Sequence, residues 1–314
     1  MRTFGLGRTK QATGTGRSGP AAAASPAAIR QHAEEAAGRL PALMVAADRV
    51  AATVAQGVHG RRRVGQGETF WQFRRYQPGD TTTRIDWRQS AKRQHVYIRE
   101  NEWEAAQSVW LWLDRSASMQ YRSGEQLPDK IWRAAVLTLA LASLLVRGGE
   151  RVALLGSGIP PTSGRAVLER FAGTFVMPET AANSLPRPEP LPRYARVVLV
   201  SDFLSPSDQV AKTLRSLSVL GLRGHLLQIV DPAEETLPFS GRVRFEGLEG
   251  EGSALIGRVE AVRKDYMALM ESHRRAISDI ARGLGWTWTT HSTDQPPPTA
   301  LLTLYQALSE PPRG

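Results

Sequence analysis

The stretch VWLWLDRSASMQY, from Val109 to Tyr121, is the part of the sequence that decides the fold. A dense apolar run ends abruptly at Asp114, and two hydroxyl residues follow at Ser116 and Ser118. A short apolar run bounded by polar residues is typical of a buried strand. Alternate side chains of the loop that follows can converge on one side, so a carboxylate and two hydroxyls are expected together at the strand's end.

Apolar strands alternate with helical segments from Ala105 to the end of the chain. The strands are SVWLWLD, RVALLG, ARVVLVSD, GHLLQIVD and GWTWTTH, and the glycine-punctuated stretch GRVRFEGLEGEG predicts a hairpin. Near-continuous apolar strands separated by helices predict an α/β fold with a doubly wound, mostly parallel sheet and helices on both faces. We expect the strand order 3-2-1-4-5-6.

Ligands of such sheets bind beyond the carboxyl ends of the strands, where the strand order reverses. In the expected order Asp114 ends the first strand and Asp202, in VVLVSDF, ends the neighbouring fourth strand. Two carboxylates and the hydroxyls of Ser116 and Ser118 would then face one crevice and suit a hard cation such as Mg²⁺. The alternative is that each aspartate only caps a turn, which is also how we interpret Asp231 before Pro232.

Composition and charge narrow the possible function classes. The 314 residues include no cysteine, which excludes disulfides, thiolate metal sites and cysteine nucleophiles and fits a cytoplasmic protein. The formal net charge is +10, and the segment 58–99 alone holds ten lysines and arginines against three acidic residues. Such an excess suggests nucleic acid, anionic lipid or an acidic partner. The apolar run Ile131–Val146 is shorter than the roughly 20 residues of a membrane span and predicts a buried helix rather than a transmembrane segment.

The sequence predicts four consecutive regions. Residues 1–26 are rich in Gly, Ala, Thr and Arg and are predicted to be a disordered tail. Residues 27–57 form an N-terminal helical segment with a break near Pro41, since proline interrupts helices. Residues 58–104 form a small, basic, β-rich module, and residues 105–310 form the α/β domain.

The basic module contains a long motif, GQGETFWQFRRYQPGDTTTRIDWRQSAKRQHVYIRENEWE, at residues 65–104. It resembles the signature of the bacterial family called domain of unknown function 58. The positions that match this signature include Arg74, Tyr76, Gly79, Asp80, Arg84, Asp86 and Trp87. From the residues alone, Asp86 and Trp87 are interpreted as a structural pair whose carboxylate binds a nearby arginine.

The segment DRSAS, followed by a helix and a later strand ending in aspartate, resembles the metal-ion-dependent adhesion site (MIDAS) of von Willebrand factor A domains. The resemblance implies a von Willebrand factor A-like fold for residues 105–310. It also implies Mg²⁺ or Mn²⁺ held by Asp114, Ser116, Ser118 and Asp202. Adhesion sites usually take a threonine ligand as well, for which the chain offers Thr162, Thr174 and Thr180.

The resemblance implies a non-enzymatic role in protein binding. The cation would accept a carboxylate from a partner, and what is known of similar proteins implies a MoxR-type AAA+ ATPase in a chaperone-like assembly. Two other classes stay open: a Mg²⁺-dependent phosphodiester hydrolase whose arginines bind phosphate, and a nucleic-acid-binding protein. The sequence has no P-loop, H-E-x-x-H or G-x-S-x-G motif, so we predict no catalytic residue.

Overall fold

The structure is a computed structural model, and it describes residues 26–58, 70–75, 87–91, 96–101, 108–177, 183–192, 195–219, 221–249 and 252–309. The chain divides into two compact units, one of residues 61–107 and the other of residues 1–60 together with 108–314. The predicted disordered tail lies outside the described residues except for Pro26, where the first helix begins.

Three short elements make up the described part of the smaller unit, and one long helix precedes it. The long helix is α1 (Pro26–Val58). The smaller unit contains β1 (Phe70–Arg75), α2 (Trp87–Ser90) and β2 (Tyr97–Asn101). The two strands pair in antiparallel fashion, with an irregular register between Phe70 and Gln72.

The larger unit is built on a five-stranded parallel sheet. Its strands are β3 (Ser108–Leu113), β4 (Arg151–Leu154), β5 (Arg196–Ser201), β6 (Arg223–Val230) and β9 (Thr287–Ser292). The helices between and after them are α3 (Lys130–Arg147), α4 (Arg165–Val176), α5 (Ser207–Ser218), α6 (Pro232–Thr236), α7 (Val259–Gly283) and α8 (Pro297–Ser309). The predicted hairpin is present as β7 (Val243–Glu246) and β8 (Ser253–Ile256). The predicted α/β architecture is confirmed.

The predicted strand order, however, is wrong. The observed order is β4-β3-β5-β6-β9, which is 2-1-3-4-5 when the strands are counted from β3. The connection from β4 to β5 crosses β3, so that the third strand pairs with the first strand instead of extending the sheet beyond the second. The strand that precedes Asp202 is therefore the third and not the fourth, yet it is still the neighbour of the strand that precedes Asp114.

Side chains of the sheet alternate between two cores, as the period of two in a strand requires. On one face, strand residues such as Leu111, Val198 and Leu227 lie in a core with α1, α3, α4 and α8. On the other face, residues such as Trp110 and Leu199 pack with α5 and α7. Helices thus cover both faces, and the carboxyl ends of the strands remain as the edge where a site can form.

Helix α3 is buried on almost every side. It packs on the sheet with one side and against α1, α4 and α8 with the others, and its residues from Ala134 to Leu145 are all buried. A helix that is apolar all round is expected in such a position, which explains the apolar run in the sequence. In the described part of the chain, no helix combines the length and the apolarity that a membrane crossing needs.

The break predicted near Pro41 does not occur, because α1 continues without interruption from Pro26 to Val58. A proline inside a helix removes one hydrogen bond and favours a kink. Here the ring of Pro41 faces solvent, and the buried face that follows it at helical spacing holds the helix together. That face consists of Leu43, Ala47, Val50, Ala51 and Val54, which lie in the core with α3 and α8.

Candidate functional site

The pairing of β3 with β5 fixes the position of Asp114. Leu113 lies opposite Val200 in the parallel ladder, and the backbone N–H of Asp114 extends the ladder by donating to Val200 O at 2.8 Å. The hydroxyl of Ser201 then donates to Asp114 Oδ2 at 2.6 Å. Asp114 is fully buried and lies beside the residue pair Ser201–Asp202 at the carboxyl end of β5.

The loop after Asp114 turns tightly and brings both predicted hydroxyls to the same place. Ser116 N–H donates to Asp114 Oδ1 at 2.8 Å, and a short 3₁₀ turn follows at Ala117–Gln120. The hydroxyl oxygens of Ser116 and Ser118 are 3.1 Å apart. Both serines are buried, so hydroxyls that would face solvent in an ordinary loop are here enclosed beside a carboxylate.

Asp202 lies at the end of β5 and takes part in a buried ion-pair network. Lys130 Nζ donates to Asp202 Oδ2 at 2.9 Å and to Glu234 Oε1 at 2.6 Å. Lys130 is the first residue of α3, and its side chain is 0% exposed. Glu234 lies in α6 and is 2% exposed. A fully buried lysine is rare unless it is paired, and this one is paired twice.

Burial and the network shift the protonation equilibria of the site. Burial, and next the charge of Asp202, raise the pKa of Asp114 to about 7, although hydrogen bonds from Ser201 and Ser116 act in the opposite direction. For Lys130, burial acts to lower the pKa, but the charges of Asp202 and Glu234 outweigh it and raise the pKa above its ordinary value. Lys130 therefore keeps its proton to a higher pH than an exposed lysine, and Asp114 keeps its proton to a higher pH than an exposed aspartate.

The turn after β5 is held in an unusual conformation. Phe203 has a φ of 52° and is fully buried, and a left-handed backbone in a bulky residue is costly. Its N–H donates to Ser201 Oγ at 2.9 Å, and its carbonyl is 2.8 Å from the His273 ring of α7. Gln228 of β6 donates to Asp202 O at 3.0 Å. Neighbouring elements therefore fix the direction in which the Asp202 carboxylate points.

Both aspartates also make the local turn contacts of the capping interpretation. Asp114 Oδ1 accepts the N–H of Ser116, and Asp202 Oδ1 accepts the N–H of Leu204 at 3.2 Å. An ionised carboxylate has about four acceptor positions, so these bonds leave capacity for a further donor or cation. Asp231 caps α6 by accepting from Ala233 N at 2.8 Å, as the turn interpretation predicts, and its other oxygen accepts from Ser123 N at 2.9 Å.

Two of the three threonines that the sequence offers as ligands lie within the described residues. Thr162 pairs with Val152 in an isolated bridge near β4, and the hydroxyl of Thr174 donates to Arg170 O within α4. Thr180 lies outside the described residues. Among the signature positions, Arg74 lies in β1 and Trp87 begins α2 with 68% of its surface exposed. The others, outside the described residues, are Tyr76, Gly79, Asp80, Arg84 and Asp86.

The donor atoms suit a small hard cation. Mg²⁺ prefers oxygen ligands, needs only one or two carboxylates from a protein and keeps several waters. Asp114 and Asp202 supply two carboxylates, and Ser116 and Ser118 supply two hydroxyls. Within the described ranges, no group of three His, Cys, Asp or Glu residues is arranged to hold a metal ion, so hydroxyls and waters would have to complete the coordination.

A cleft of about 260 Å³ opens at the carboxyl ends of β3 and β4, with Leu113, the residue before Asp114, in its lining. Arg115, the neighbour of Asp114 in sequence, lines it and donates from Nη1 to Thr174 O at 2.7 Å. Arg187 contributes a second guanidinium to the lining, and Trp112 and Phe175 contribute apolar surface. No acidic residue is among the described residues that line the cleft.

The cluster consists of the four predicted residues, Asp114, Ser116, Ser118 and Asp202, and of three residues that contact them directly or through Lys130. These three, which the sequence-based prediction did not include, are Ser201, Lys130 and Glu234. A signal existed for the first, since Ser201 directly precedes Asp202 in the strand. Lys130 looks like an ordinary residue at the start of a helix. Its only distinguishing feature in the sequence is that a charged residue comes first in a largely apolar helix, which is a weak indication of a buried partner. Glu234 is separated from Asp202 by the whole of α5 and β6 and gives no local signal.

The chain is similar in sequence to uncharacterized mycobacterial proteins and, more weakly, in structure to two Bacteroides proteins. The chain is 28% identical over 250 residues to uncharacterized proteins of Mycobacterium bovis and Mycobacterium tuberculosis, covering 74% of this chain and 76% of each relative. Two solved structures resemble it at low similarity. A conserved hypothetical protein BatB from Bacteroides thetaiotaomicron has a TM-score of 0.41 and 14% identity, and an aerotolerance-related membrane protein from Bacteroides fragilis has a TM-score of 0.38 and 19% identity. Each covers 64% of this chain and 97% of the other.

The family model described as "Protein of unknown function DUF58" matches residues 72–276. This match runs from β1 into the second half of α7, and so it contains most of the signature motif as well as the residues around Asp114 and Asp202. The chain therefore belongs to the DUF58 family.

Proposed function

We propose that this chain is a non-enzymatic protein-binding protein whose α/β domain works in the manner of a von Willebrand factor A domain. Mg²⁺ or Mn²⁺ is held at the carboxyl edge of the sheet by Asp114, Ser116, Ser118 and Asp202. The bound cation supplies an open coordination position for a carboxylate of a partner protein. The family resemblance supports a MoxR-type AAA+ ATPase as that partner.

One observation carries the proposal: a buried carboxylate, with no cationic hydrogen-bond partner among the described residues, stands beside a second carboxylate and two enclosed hydroxyls. The hydrogen-bond partners of Asp114 are the neutral groups Ser116 N–H and Ser201 O–H. Its pKa is raised to about 7, so near neutral pH the metal-free site must hold either a proton or an uncompensated charge. A divalent cation removes this cost, because an opposite charge within a few ångströms favours the ionised carboxylate.

The cleft supports the proposal that the ligand is a protein side chain. Its volume of about 260 Å³ is small for a drug-sized ligand but sufficient for one or two side chains. The guanidinium groups of Arg115 and Arg187 favour an acidic segment, and the rings of Trp112 and Phe175 offer apolar contact. When an acidic residue of the partner reaches the cation, the partner residues next to it would therefore fit into this cleft.

The test is the binding of the purified MoxR-type ATPase from the same organism, measured by titration calorimetry with Mg²⁺ and with EDTA. We expect Mg²⁺ to tighten binding by about 5- to 150-fold, the usual range for coupled sites. Asp114→Ala should abolish this difference, and Ser116→Ala or Ser118→Ala should reduce it less, because a neutral hydroxyl contributes less than a charged ligand. Asp279→Ala is the matched control, since Asp279 is an exposed acid near the end of α7.

Equal affinities with Mg²⁺ and with EDTA would contradict the proposed mechanism. An Asp114→Ala variant that has lost its circular dichroism spectrum would show that Asp114 serves the fold rather than the site. Binding that responds to Mg²⁺ but not to Asp114→Ala would move the cation to another part of the chain.

A further inference from the structure

Lys130 is the fixed positive charge of the candidate site. Its ammonium group is 2.9 Å from Asp202 Oδ2 and 2.6 Å from Glu234 Oε1, and none of its side-chain surface is exposed. The backbone N–H of Lys130 donates to Tyr121 O at 3.1 Å, where the loop after Asp114 ends. The charge therefore lies at the junction of α3, α6 and the end of β5.

The two carboxylates that hold Lys130 are themselves immobilised. The other oxygen of Glu234, Oε2, accepts the backbone N–H of Asp231 at 2.9 Å as part of the capping box of α6. The other oxygen of Asp202, Oδ1, accepts the N–H of Leu204. Since both partners are fixed at two points, the ammonium group cannot withdraw from Asp202 without breaking a buried ion pair, which is strongly destabilising.

The distribution of charge within the cluster is uneven. Asp202 is neutralised by Lys130, while the hydrogen-bond partners of Asp114 are neutral groups. Lys130 divides its charge between Asp202 and Glu234, so Glu234 reduces the positive charge that acts on the site. In a buried environment with a low effective dielectric constant, such charges act on each other much more strongly than in water.

We infer that Lys130 is a positioning residue that sets how strongly the site holds a cation, by neutralising Asp202 to an extent that Glu234 controls. This inference rests on the proposed function, because the cation is the one proposed for Asp114 and Asp202. Its consequence is that removing the two charges has opposite effects. Without Lys130 the site becomes more negative and binds a cation more tightly, and without the charge of Glu234 it becomes less negative and binds a cation more weakly.

The test is Mn²⁺ binding to the full chain, measured by electron paramagnetic resonance of the free ion and by thermal shift. We expect Lys130→Met to lower the dissociation constant about tenfold and Glu234→Gln to raise it by about threefold or more. Glu235→Gln is the matched control, because it removes the same charge from the next residue of α6, whose partner Arg274 is 3.0 Å away. This control should leave the dissociation constant unchanged.

The outcomes distinguish failure of this inference from failure of the proposed function. Wild-type binding that is unchanged in Glu234→Gln, or that weakens in Lys130→Met, would overturn the inference and leave the cation site standing. Mn²⁺ binding by Lys130→Met alone would overturn both, since the ammonium group of Lys130 would then occupy the site in the natural protein in place of a metal ion. Absence of Mn²⁺ binding in all variants would overturn both. If Lys130→Met does not fold, the shift in Glu234→Gln, which keeps the shape of the side chain, decides the question.

Discussion

At the scale of single residues, burial and the charge of Asp202 set the pKa of Asp114 in the candidate site. Asp114 is fully buried and has a pKa raised to about 7. An acid whose pKa is higher in the folded state than in the unfolded state binds more protons when folded. Between the unfolded pKa of about 4 and the folded pKa of about 7, stability therefore falls as pH rises.

We predict that Asp114→Asn removes this pH dependence in the metal-free protein. In EDTA the free energy of unfolding of the variant should exceed that of the wild type by an amount that grows from pH 4 to pH 7. Above that range the difference should level off at a few kcal/mol. Urea denaturation at several pH values measures it, and Asp279→Asn, which changes an exposed carboxylate, is the control.

A difference between Asp114→Asn and wild type that does not change with pH would mean that Asp114 titrates at its ordinary pKa. Two buried histidines do not disturb the comparison. Burial lowers the pKa of His225 and of His291 to about 4, so both cost stability as pH falls below about 6.5. They act equally in the two proteins and cancel in the difference.

At the scale of secondary structure, the periodicity of apolar residues identified most strands and helices, but it could not show which distant segments pair with each other. Asp114 and Asp202 could be placed at strand ends, because each follows a continuous apolar run. The order of the strands could not be predicted, because several orders bury the same residues. The pairing of β6 with β9 shows the same limit. Gly224 lies against the ring of Trp286 with no room for a Cβ, and nothing near Gly224 in the sequence indicates it.

The helix α1 illustrates how packing overrides a local signal. Pro41 predicts a break, but the buried face of α1 continues past it and lies in the same core as α3. Lys130 illustrates the opposite case, in which a local position at a helix start conceals a long-range contact with Asp202. Both differences arise because partners far apart in sequence decide the outcome.

We predict that α1 is a structural part of the α/β domain and not an appendage. Leu43→Ala should lower the free energy of unfolding by about 2–5 kcal/mol, the usual cost of truncating a buried leucine, because Leu43 is 1% exposed in the core. Val45→Ala is the matched control on the same helix. Its side chain is 52% exposed, so its effect should stay within about 0.5 kcal/mol.

Chemical denaturation followed by circular dichroism measures both variants. Similar small effects for Leu43→Ala and Val45→Ala would mean that α1 detaches before the sheet unfolds. In that case the core contacts of Leu43 with the other helices would not contribute to the stability of the sheet.

At the scale of the whole molecule, positive charge is concentrated in one segment and the candidate cation site lies in another. The net charge is +10, and residues 58–99 carry +7 of it. The cluster around Asp114 and Asp202 is acidic and buried. A polyanion is the ligand expected for the first region and a cation the ligand proposed for the second, so the two regions can be tested independently.

We predict that Mg²⁺ has opposite effects on the two kinds of binding. A mixed-sequence DNA duplex should bind weakly, with an affinity that falls steeply with salt, because binding to phosphates releases counterions. Mg²⁺ competes for those phosphates and should weaken DNA binding, whereas it should strengthen the binding of a partner through Asp114.

Charge reversal of Arg61, Arg62 and Arg63 should reduce DNA binding and the slope of its salt dependence, and leave Mn²⁺ affinity unchanged. Fluorescence anisotropy with labelled DNA, at matched ionic strength with and without Mg²⁺, measures the effect, and Asp114→Ala should not alter it. DNA binding that tightens with Mg²⁺ and is lost in Asp114→Ala would instead make nucleic acid the ligand of the cation site, and would replace protein binding as the function of this edge of the sheet.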